Sequence, residues 1–333
     1  MSRLLVISPA PMTGGAEGYA LAIARAAGQR DWDVRMALPV TPGTEMMRAE
    51  LAMAGIPAVA LPCVDNYETG ARPRRWRESW AVGQIAVILL RLAPDVVHLT
   101  IPWPGFGLSG QLAAALLGVP TVVVFQLVPD PVPLPDAPRI YSFMRRRRQL
   151  WVAVSEHGQR LIASAARLPT NQVEVIYNGA AIRFGGAPTL PEARQSVRAE
   201  LGVPADGRLV VSVGRLHQQK GHRDLIAAFT ALARRDGDLH LVIVGEGEEE
   251  RALRAQADEA GVADHVHLLG SRDDVPRLLA AGDVFAFASR FEGLPFSLVE
   301  AMAGGLPVVS TAFPGAEEII RDGRDGVLVP VGD

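Results

Sequence analysis

Several features that are common in proteins of this size are scarce in this 333-residue chain. Its single cysteine, Cys63, excludes an internal disulfide and a cysteine-rich metal site. Long hydrophobic runs are missing, since the most apolar stretch, 112–125, is interrupted by Gly118 and Pro120 and cannot span a bilayer. The N-terminal apolar run stops at Pro9, which is typical of a first β-strand rather than of a signal peptide. These absences predict a soluble protein, cytoplasmic by default.

Lysine is almost absent as well. Of the 33 basic residues, all but Lys220 are arginine. Coding bias accounts for an excess of arginine, and it makes the exception informative, because a compact ammonium suits other ligands than a guanidinium does. The charge is also uneven: residues 1–178 carry +4 and residues 179–333 carry −7. A phosphate ligand in the acidic half needs cations aimed at it, so the positions of its few cations matter.

The chain is rich in short β-branched runs that alternate with longer stretches of helical period. Strands this apolar, separated by helices, predict parallel sheets covered on both faces. We therefore predict an α/β protein with two Rossmann-like, doubly wound domains facing a central cleft, 1–180 and 195–333, joined by a Gly/Pro/Ala-rich linker at about 179–195. The predicted strands are 4–8, 34–39, 95–99, 121–126, 151–155, 173–177, 208–214, 239–245, 266–270, 284–289, 307–311 and 326–330, and the predicted helices of the first half are 16–29, 44–54, 75–92, 105–117 and 156–167.

One strand-to-helix connection in the second half concentrates positive charge. A predicted strand ends at Gly214, Arg215 follows at once, and Lys220 leads into a predicted helix. A helix N-terminus favours anions because its first N–H groups have no partner within the helix. A guanidinium and an ammonium beside such amides suit a diphosphate, and we predict that Arg215 and Lys220 bind one.

Two carboxylates occur in the segment 289–310. Glu292 lies in a Gly/Pro loop after a predicted strand, and Glu300 lies about one turn into a helix predicted to start near Phe296. The first-turn amides of Phe296 and Ser297 can hold an anion, and both carboxylates can accept hydrogen bonds from sugar or ribose hydroxyls. No paired-carboxylate motif accompanies the two cations, so we expect no metal and no other cofactor.

Four segments of the second half, in this order and in register, closely resemble glycosyltransferase family 4, which has the GT-B architecture. They are GRLHQQKG, LVIVGEGEE, HLLGSRDDV and FEGLPFSLVEAMAGGLPVV, and the resemblance covers nearly all of 209–333. It extends more weakly to the first half through TGGAE, PDVVH, VAVSEHGQRLI and VIYNG. The resemblance implies a retaining, metal-independent hexosyltransferase with a nucleotide diphosphate sugar as co-substrate, UDP first and GDP second. The implied acceptor belongs to glycolipid, polysaccharide or cell-envelope glycan synthesis.

The resemblance also implies roles for individual residues. Arg215 and Lys220 would hold the diphosphate, and Glu300 would hold the ribose hydroxyls. Glu292 would contact the donor sugar. Together with His98, the residues Arg215, Lys220 and Glu292 would carry the catalysis. The nucleotide sugar would also meet Gly14, Gly15, Arg272, Gly293, Leu294, Pro295, Phe296 and Ser297.

Three positions in or next to the first half depart from the family pattern. Thr100 stands where a second histidine commonly follows His98, and Gln126 stands where the next strand commonly ends in histidine. Ala181 stands where an aspartate commonly follows the NG of the linker. These departures concern the acceptor side, so the acceptor is less defined than the donor. The chain also ends at VPVGD, where family members normally add further helices, so we expect a shortened C-terminal part.

Arginine is concentrated in two segments of the first half. RPRRWRESW, 72–80, and RRRR, 145–148, hold eight of the 17 arginines there, with Trp76 and Trp80 interleaved. One interpretation is a solvated basic face. The other is attraction to an anionic, lipid-linked acceptor, or peripheral contact with the inner face of an anionic membrane. A nucleic-acid partner is not expected, because the net charge is −3 and no recognition module occurs.

Two other functions stay open at this point. A sugar-nucleotide 2-epimerase shares the GT-B fold and the donor chemistry, although the continuous FEGLPFSLVE pattern argues against it. A catalytically silent nucleotide-sugar-binding protein would account for Thr100 and Gln126. Conversion of a sugar nucleotide without an acceptor would favour the epimerase, whereas donor hydrolysis or transfer would exclude the silent protein.

Overall fold

Each half of the chain folds into its own α/β unit, Met1–Tyr177 and Asn178–Asp333. The computed structural model describes residues 1–62, 75–134, 137–179, 190–235 and 237–333, and for 75–78 and 190 it describes the backbone alone. Among the helices of these described ranges, none has the length and apolar character needed to cross a membrane.

The first unit is a seven-stranded parallel sheet with helices on both faces. In its described residues the strands are β1 (Arg3–Ile7), β2 (Asp33–Pro39), β3 (Ala58–Leu61), β4 (Val96–Ile101), β5 (Pro104–Gly107), β6 (Thr121–Phe125), β7 (Gln149–Ala153) and β8 (Val173–Val175), and the helices are α1 (Gly15–Gly28), α2 (Glu45–Met53), α3 (Arg75–Leu92), α4 (Leu108–Leu117), α5 (Pro138–Arg146) and α6 (Glu156–Ala166). The strand order is β3-β2-β1-β4-β6-β7-β8, so β5 lies outside the sheet.

The second unit is a six-stranded parallel sheet built by the same alternation. Its described elements are α7 (Leu190–Leu201), β9 (Arg208–Val213), α8 (His222–Ala233), β10 (Leu239–Val244), α9 (Glu250–Glu259), β11 (Val266–Leu268), α10 (Val275–Ala281), β12 (Val284–Phe287), α11 (Phe296–Ala303), β13 (Val308–Thr311), α12 (Pro314–Glu317) and β14 (Val327–Val329). The strand order is β11-β10-β9-β12-β13-β14. The prediction of two doubly wound parallel sheets is therefore confirmed.

Both sheets have one strand at which the strand order reverses, here called the switch strand. In the first unit it is β1, between β2 and β4, and in the second it is β9, between β10 and β12. The connections that leave such a strand and its neighbour run to opposite faces, which opens a crevice beyond the carboxyl ends of the strands. Apolar side chains fill both faces of each sheet, so the polar groups of interest lie at this edge.

Some elements differ from the sequence-based expectation. Neither β3 nor α5 was predicted. Strand β3 is a short, alanine-rich edge strand, and α5 begins at Pro138, directly after the proline-rich segment, and runs into the four arginines. Helix α7 begins at Leu190, before the predicted end of the linker, and 180–189, including Ala181, lie outside the described residues. The arginine-rich segment from 72 is described only in part, with side chains from Ser79 onward.

Candidate functional site

The predicted site residues of the second unit come from loops that follow neighbouring strands. Strands β9 and β12 are hydrogen-bonded partners, with Val211 opposite Phe285. Arg215 and Lys220 follow β9, and Glu292 follows β12. Parallel strands end at one edge of their sheet, so both loops lie at the same edge, where the strand order reverses.

Lys220 and Glu292 form an ion pair at this edge. The Lys220 Nζ donates to Glu292 Oε1 at 2.6 Å, and the two side chains are only 14% and 10% exposed. The hydroxyl of Ser289 donates to the same carboxylate oxygen at 3.0 Å, and the ammonium lies 5.4 Å from the centre of the Phe287 ring. The ammonium and the carboxylate are thus fixed in a partly dry environment, where electrostatic interactions are stronger than in water.

The loops after β9 and β12 are joined by hydrogen bonds to backbone carbonyls as well as by this ion pair. Gln219 Nε2 donates to the Phe291 carbonyl at 2.8 Å, and the Arg290 N–H donates to the Gln219 carbonyl at 2.8 Å. Gly221 has φ of +65°, and a Cβ there would lie 2.0 Å from the Ala288 carbonyl oxygen. Glycine is therefore needed at 221 both for its conformation and for the close approach of the loops.

Glu300 has a different environment. It lies on α11, which starts at Phe296 as predicted, and its side chain is half-buried. Burial raises the pKa of the Glu300 carboxyl above its usual range. No hydrogen bond or ion pair reaches this carboxylate from any residue of the described ranges. A half-buried carboxylate without a protein partner is a ready acceptor for the hydroxyls of a ligand.

The loop that precedes α11 is held firmly. Gly293, Leu294 and Pro295 are buried, and the Leu294 carbonyl accepts a hydrogen bond from Asn178 Nδ2 at 3.0 Å. A Cβ on Gly315 would lie 1.8 Å from the Gly293 carbonyl oxygen, so the start of α12 packs directly on this loop. The first-turn amides of α11, from Phe296 and Ser297 onward, therefore have a fixed direction.

The two predicted arginines of the second unit differ from each other. Arg215 is exposed at the start of the β9 loop. Arg272 is held in ion pairs with Glu200 at 2.8 Å and Asp274 at 2.7 Å. These guanidinium contacts, together with Arg277, hold the pKa of Asp274 well below its usual range. Arg272 has a planar guanidinium with several donors, and through these ion pairs it holds the loop 270–274 against α7. Its contact with the nucleotide sugar stays a prediction.

His222 is a buried residue of this edge that sequence reasoning missed. It is the first residue of α8, its side chain is buried, and it lies beside the backbone of Gly214 and Arg215. Burial, and next the charge of Lys220, lower its pKa to about 4. No sequence signal points to His222, because a polar residue at a helix start is commonly solvated. Ser289, Gln219 and Asn178 were missed for a similar reason, since their contacts are tertiary.

The first unit places the remaining predicted residues at its own switch strand. Gly14 precedes α1 and Gly15 opens it, in the loop after β1. His98 is on β4 opposite Val6, and its ring centre lies 5.6 Å from that of Tyr19 on α1. His98 is buried, burial lowers its pKa to about 4, and its Nε2 has no hydrogen-bond partner among the described residues. The imidazole is therefore neutral at neutral pH.

Thr100 and Gln126, the two departures from the family pattern in this sheet, share the face of His98. Thr100 pairs with Val124 and His98 pairs with Val122, so Gln126, two residues beyond Val124, continues the same row. Both side chains are buried. The structure thus brings His98, Thr100 and Gln126 together at one edge of the first unit, and Lys220, Glu292 and the α11 loop together at one edge of the second.

Two family models together match most of the chain. The model described as Glycosyltransferase Family 4 matches residues 13–183, and the one described as Glycosyl transferases group 1 matches residues 193–333. A lipopolysaccharide core biosynthesis glycosyltransferase of Rhizobium meliloti is 41% identical over 136 residues, which are 41% of this chain and 39% of that protein. An alpha-D-kanosaminyltransferase of Streptomyces kanamyceticus is 28% identical over 235 residues, 66% of this chain and 59% of that protein. The chain thus spans less than two thirds of the length of these relatives.

Solved structures share the fold over the whole chain. The crystal structure of HepE from Anabaena, in complex with UDP and glucose, has a TM-score of 0.79 at 23% identity and covers 100% of this chain and 87% of that one. A glycosyltransferase from Rickettsia africae has a TM-score of 0.81 at 19% identity and covers 100% and 85%. The chain belongs to glycosyltransferase family 4, and its two units are the two Rossmann-like domains of the GT-B fold.

Proposed function

We propose that the protein is a retaining glycosyltransferase that moves a hexosyl group from a nucleotide diphosphate sugar to an acceptor in glycan or glycolipid synthesis. The observation that carries the proposal is the Lys220–Glu292 ion pair at the switch strand of the second unit. The carboxylate of Glu300, which has no partner among the described residues, lies at the same sheet edge. Membership of the family supports the reaction class, and the relatives named above are glycosyltransferases.

The cations of this edge suit the leaving group. Departure of a nucleoside diphosphate develops negative charge, and loss of one preorganised donor for such charge typically costs about 10²–10³ in rate. An ammonium has three donors, and Lys220 gives one of them to Glu292. Its other donors, the Arg215 guanidinium and the first-turn amides of α11 can then share the diphosphate oxygens.

The two carboxylates suit the two sugars of the donor. Glu300, which has no partner among the described residues, would accept hydrogen bonds from the ribose hydroxyls, a part of the donor that the reaction leaves unchanged. Glu292 would turn to the transferred sugar when the diphosphate binds Lys220, and its negative charge would stabilise the positive charge that the ring gains in the transition state. We propose UDP as the nucleotide, GDP as the runner-up, and no metal or cofactor.

The first unit would bind the acceptor, which we propose to be a glycan or a lipid-linked molecule. Its buried neutral side chains His98, Thr100 and Gln126 carry hydroxyl, amide and imidazole groups, which recognise sugar hydroxyls rather than phosphates. We propose that Gly14 and Gly15 also contact the nucleotide sugar. We also propose that the enzyme works peripherally at the inner face of an anionic membrane.

The test of the proposal is a thermal-shift panel with UDP, GDP and ADP, because a ligand of the native state raises its melting temperature. We expect UDP to give the largest rise and Lys220→Ala to weaken UDP binding at least about tenfold, on the order of 1.4 kcal/mol. Arg251→Ala, an exposed arginine of α9, is the matched control and should bind UDP as the wild type does. Equal binding by Lys220→Ala would place the nucleotide elsewhere.

Donor turnover measures the chemistry. We expect transfer or slow hydrolysis of the donor sugar to continue in excess EDTA. Loss of turnover in EDTA that Mg²⁺ or Mn²⁺ restores would contradict the proposed electrostatics. Conversion of the sugar nucleotide into an epimer without acceptor would favour the epimerase alternative instead.

A further inference from the structure

The segment between β12 and α11 has no regular secondary structure. Residues 289–295, here named the 289–295 loop, carry Glu292 and lead directly into the first turn of α11. Backbone groups of such a segment have no helix or sheet partners to fix their direction. A buried carbonyl oxygen nevertheless needs a hydrogen-bond donor, because leaving it unpaired costs about as much free energy as losing a hydrogen bond. The donors for this loop therefore have to come from elsewhere in the chain.

Two buried amide side chains supply donors to the loop. Asn178 Nδ2 donates to the Leu294 carbonyl at 3.0 Å, and Gln219 Nε2 donates to the Phe291 carbonyl at 2.8 Å. The residues Asn178 and Gln219 are only 6% and 7% exposed. They come from separate parts of the second unit, since Asn178 is its first residue and Gln219 lies in the loop after β9. Both amides turn a carbonyl oxygen of the 289–295 loop into the protein.

A buried hydroxyl and a close backbone contact act on two further carbonyls. The Thr311 hydroxyl, at the end of β13, donates to the Ser289 carbonyl, and Thr311 is 5% exposed. The Gly293 carbonyl oxygen lies against Gly315, where a Cβ would be 1.8 Å away from it. Carbonyl oxygens along the whole 289–295 loop are thus held against the interior of the unit.

The direction of these carbonyls matters for an anion. A carbonyl oxygen and a phosphate oxygen are both hydrogen-bond acceptors, so a carbonyl that points at a phosphate repels it. Backbone N–H groups and the ammonium of Lys220 attract the same phosphate. Holding the carbonyls inward therefore leaves the attractive groups, above all the first-turn amides of α11, to face a bound diphosphate.

We infer that Asn178, Gln219 and Thr311 are positioning residues of the diphosphate site. They hold the carbonyl oxygens of the 289–295 loop away from the phosphates and thereby fix the direction of the first-turn amides of α11. They act through the backbone, not by touching the ligand. The inference rests on the proposed function, because the diphosphate belongs to the proposed donor. A merely structural role would lower stability without distinguishing ligands that have a diphosphate from ligands that lack one.

The sharpest test is a pair of variants at Thr311, measured by calorimetry with UDP, inorganic pyrophosphate and uridine. Thr311→Val keeps the volume and removes the hydroxyl, so it should bind UDP and pyrophosphate about tenfold more weakly and bind uridine as the wild type does. Thr311→Ser keeps the hydroxyl and loses a buried methyl group. It should therefore lower the melting temperature and yet bind all three ligands normally.

The two amides are tested in the same way. Asn178→Leu and Gln219→Met remove the donors with little change in size, and both should show the same loss for UDP and pyrophosphate alone. Gln219 directly precedes Lys220, so Asn178→Leu separates the effect on the loop from an effect on the ammonium. Melting temperatures verify that the variants are folded, and the Thr311 pair decides the question if Asn178→Leu does not fold.

Matched controls remove the same groups away from the loop. Thr230→Val deletes a buried hydroxyl of α8 that donates to the Ile226 carbonyl at 2.8 Å. Asn171→Leu replaces an exposed asparagine of the first unit. Both variants should bind the three ligands with the affinities of the wild type.

The possible outcomes separate this inference from the proposed function. Wild-type affinity for UDP and pyrophosphate in Thr311→Val and Asn178→Leu would overturn the inference and leave the proposed function standing. An equal loss for uridine would also overturn it, because the three side chains would then support the unit in general. Pyrophosphate binding that depends on the Thr311 hydroxyl, in a protein that binds no nucleotide, would count against the proposed function and leave the inference standing.

Discussion

The two units have the same kind of parallel sheet, yet the side chains at their switch strands differ in kind. In the second unit the edge carries a partly buried ion pair, Lys220 with Glu292, and the carboxylate of Glu300, which has no partner in the part of the chain that the structure describes. In the first unit the corresponding row contains buried His98 and Thr100, which are neutral at neutral pH. The backbone supplies the same crevice twice, and the side chains decide whether it suits a charged or an uncharged ligand.

The largest effect is expected where the two loops of the second unit touch. Gly221→Ala should destabilise this unit by about 3 kcal/mol or more, because the new Cβ would lie 2.0 Å from the Ala288 carbonyl oxygen and φ is +65°. Gly202→Ala is the matched control: its φ is +69°, but no heavy atom lies within 4 Å of a Cβ there, so it should cost only about 1 kcal/mol. Urea denaturation measures both. Equal costs would show that the loops are not held together by this contact.

The next largest effect is expected when the charge of Glu292 is removed. Glu292→Gln should lower kcat by about 10²-fold while affinity for UDP stays near that of the wild type, since the charge acts mainly in the transition state. Steady-state kinetics and calorimetry with UDP measure the two effects. Glu248→Gln, at an exposed carboxylate after β10, is the control and should leave kcat unchanged. An unchanged kcat in Glu292→Gln would show that the charge at the edge of the second unit does not contribute to catalysis.

Replacement of Glu300 should have moderate and opposite effects on binding and stability. Burial raises its pKa, so the folded state holds the proton more tightly than the unfolded state, and ionisation above the ordinary carboxyl range destabilises the fold. Glu300→Gln should therefore weaken UDP binding by about tenfold and yet raise the melting temperature of the ligand-free protein at pH 7. The gain should shrink as the pH falls towards 4. A lower melting temperature at pH 7 would contradict this account.

The smallest effect at neutral pH is expected for His98. Its pKa falls from 6.5 to about 4 on folding, so both states are neutral above pH 6.5 and the residue then contributes nothing to the pH dependence. As the pH falls below 6.5 the unfolded state takes up the proton first, and stability should decline by about 1.4 kcal/mol per pH unit for this group until it levels off near pH 4.

His222 in the second unit, with a pKa also lowered to about 4, should contribute equally. The free energy of unfolding measured against pH should therefore become flatter in His98→Asn and in His222→Asn to the same degree. A change in only one variant would show that the two buried histidines are not equivalent.

The prediction of the site depended on how local its residues are. The helix that starts at Phe296 and the loop of Arg215 and Lys220 could be placed from the sequence, because apolar period and glycine position are local signals. The ion pair between Lys220 and Glu292 joins residues 72 positions apart, so only the pairing of β9 with β12 brings them together. For Arg272, the family resemblance implied a contact with the nucleotide sugar. Its ion pairs with Glu200 and Asp274 could not be predicted from the sequence.

By itself, then, the amino-acid sequence determined the alternation of buried strands and helices, because period and β-branched content act within a few residues. It also determined which loops hold the charged residues. Strand order, by contrast, was decided only by the tertiary structure, and with it which loops meet at one edge. The tertiary structure also set the burial that makes His98 neutral. These properties depend on contacts between residues far apart in the chain, which no local pattern encodes.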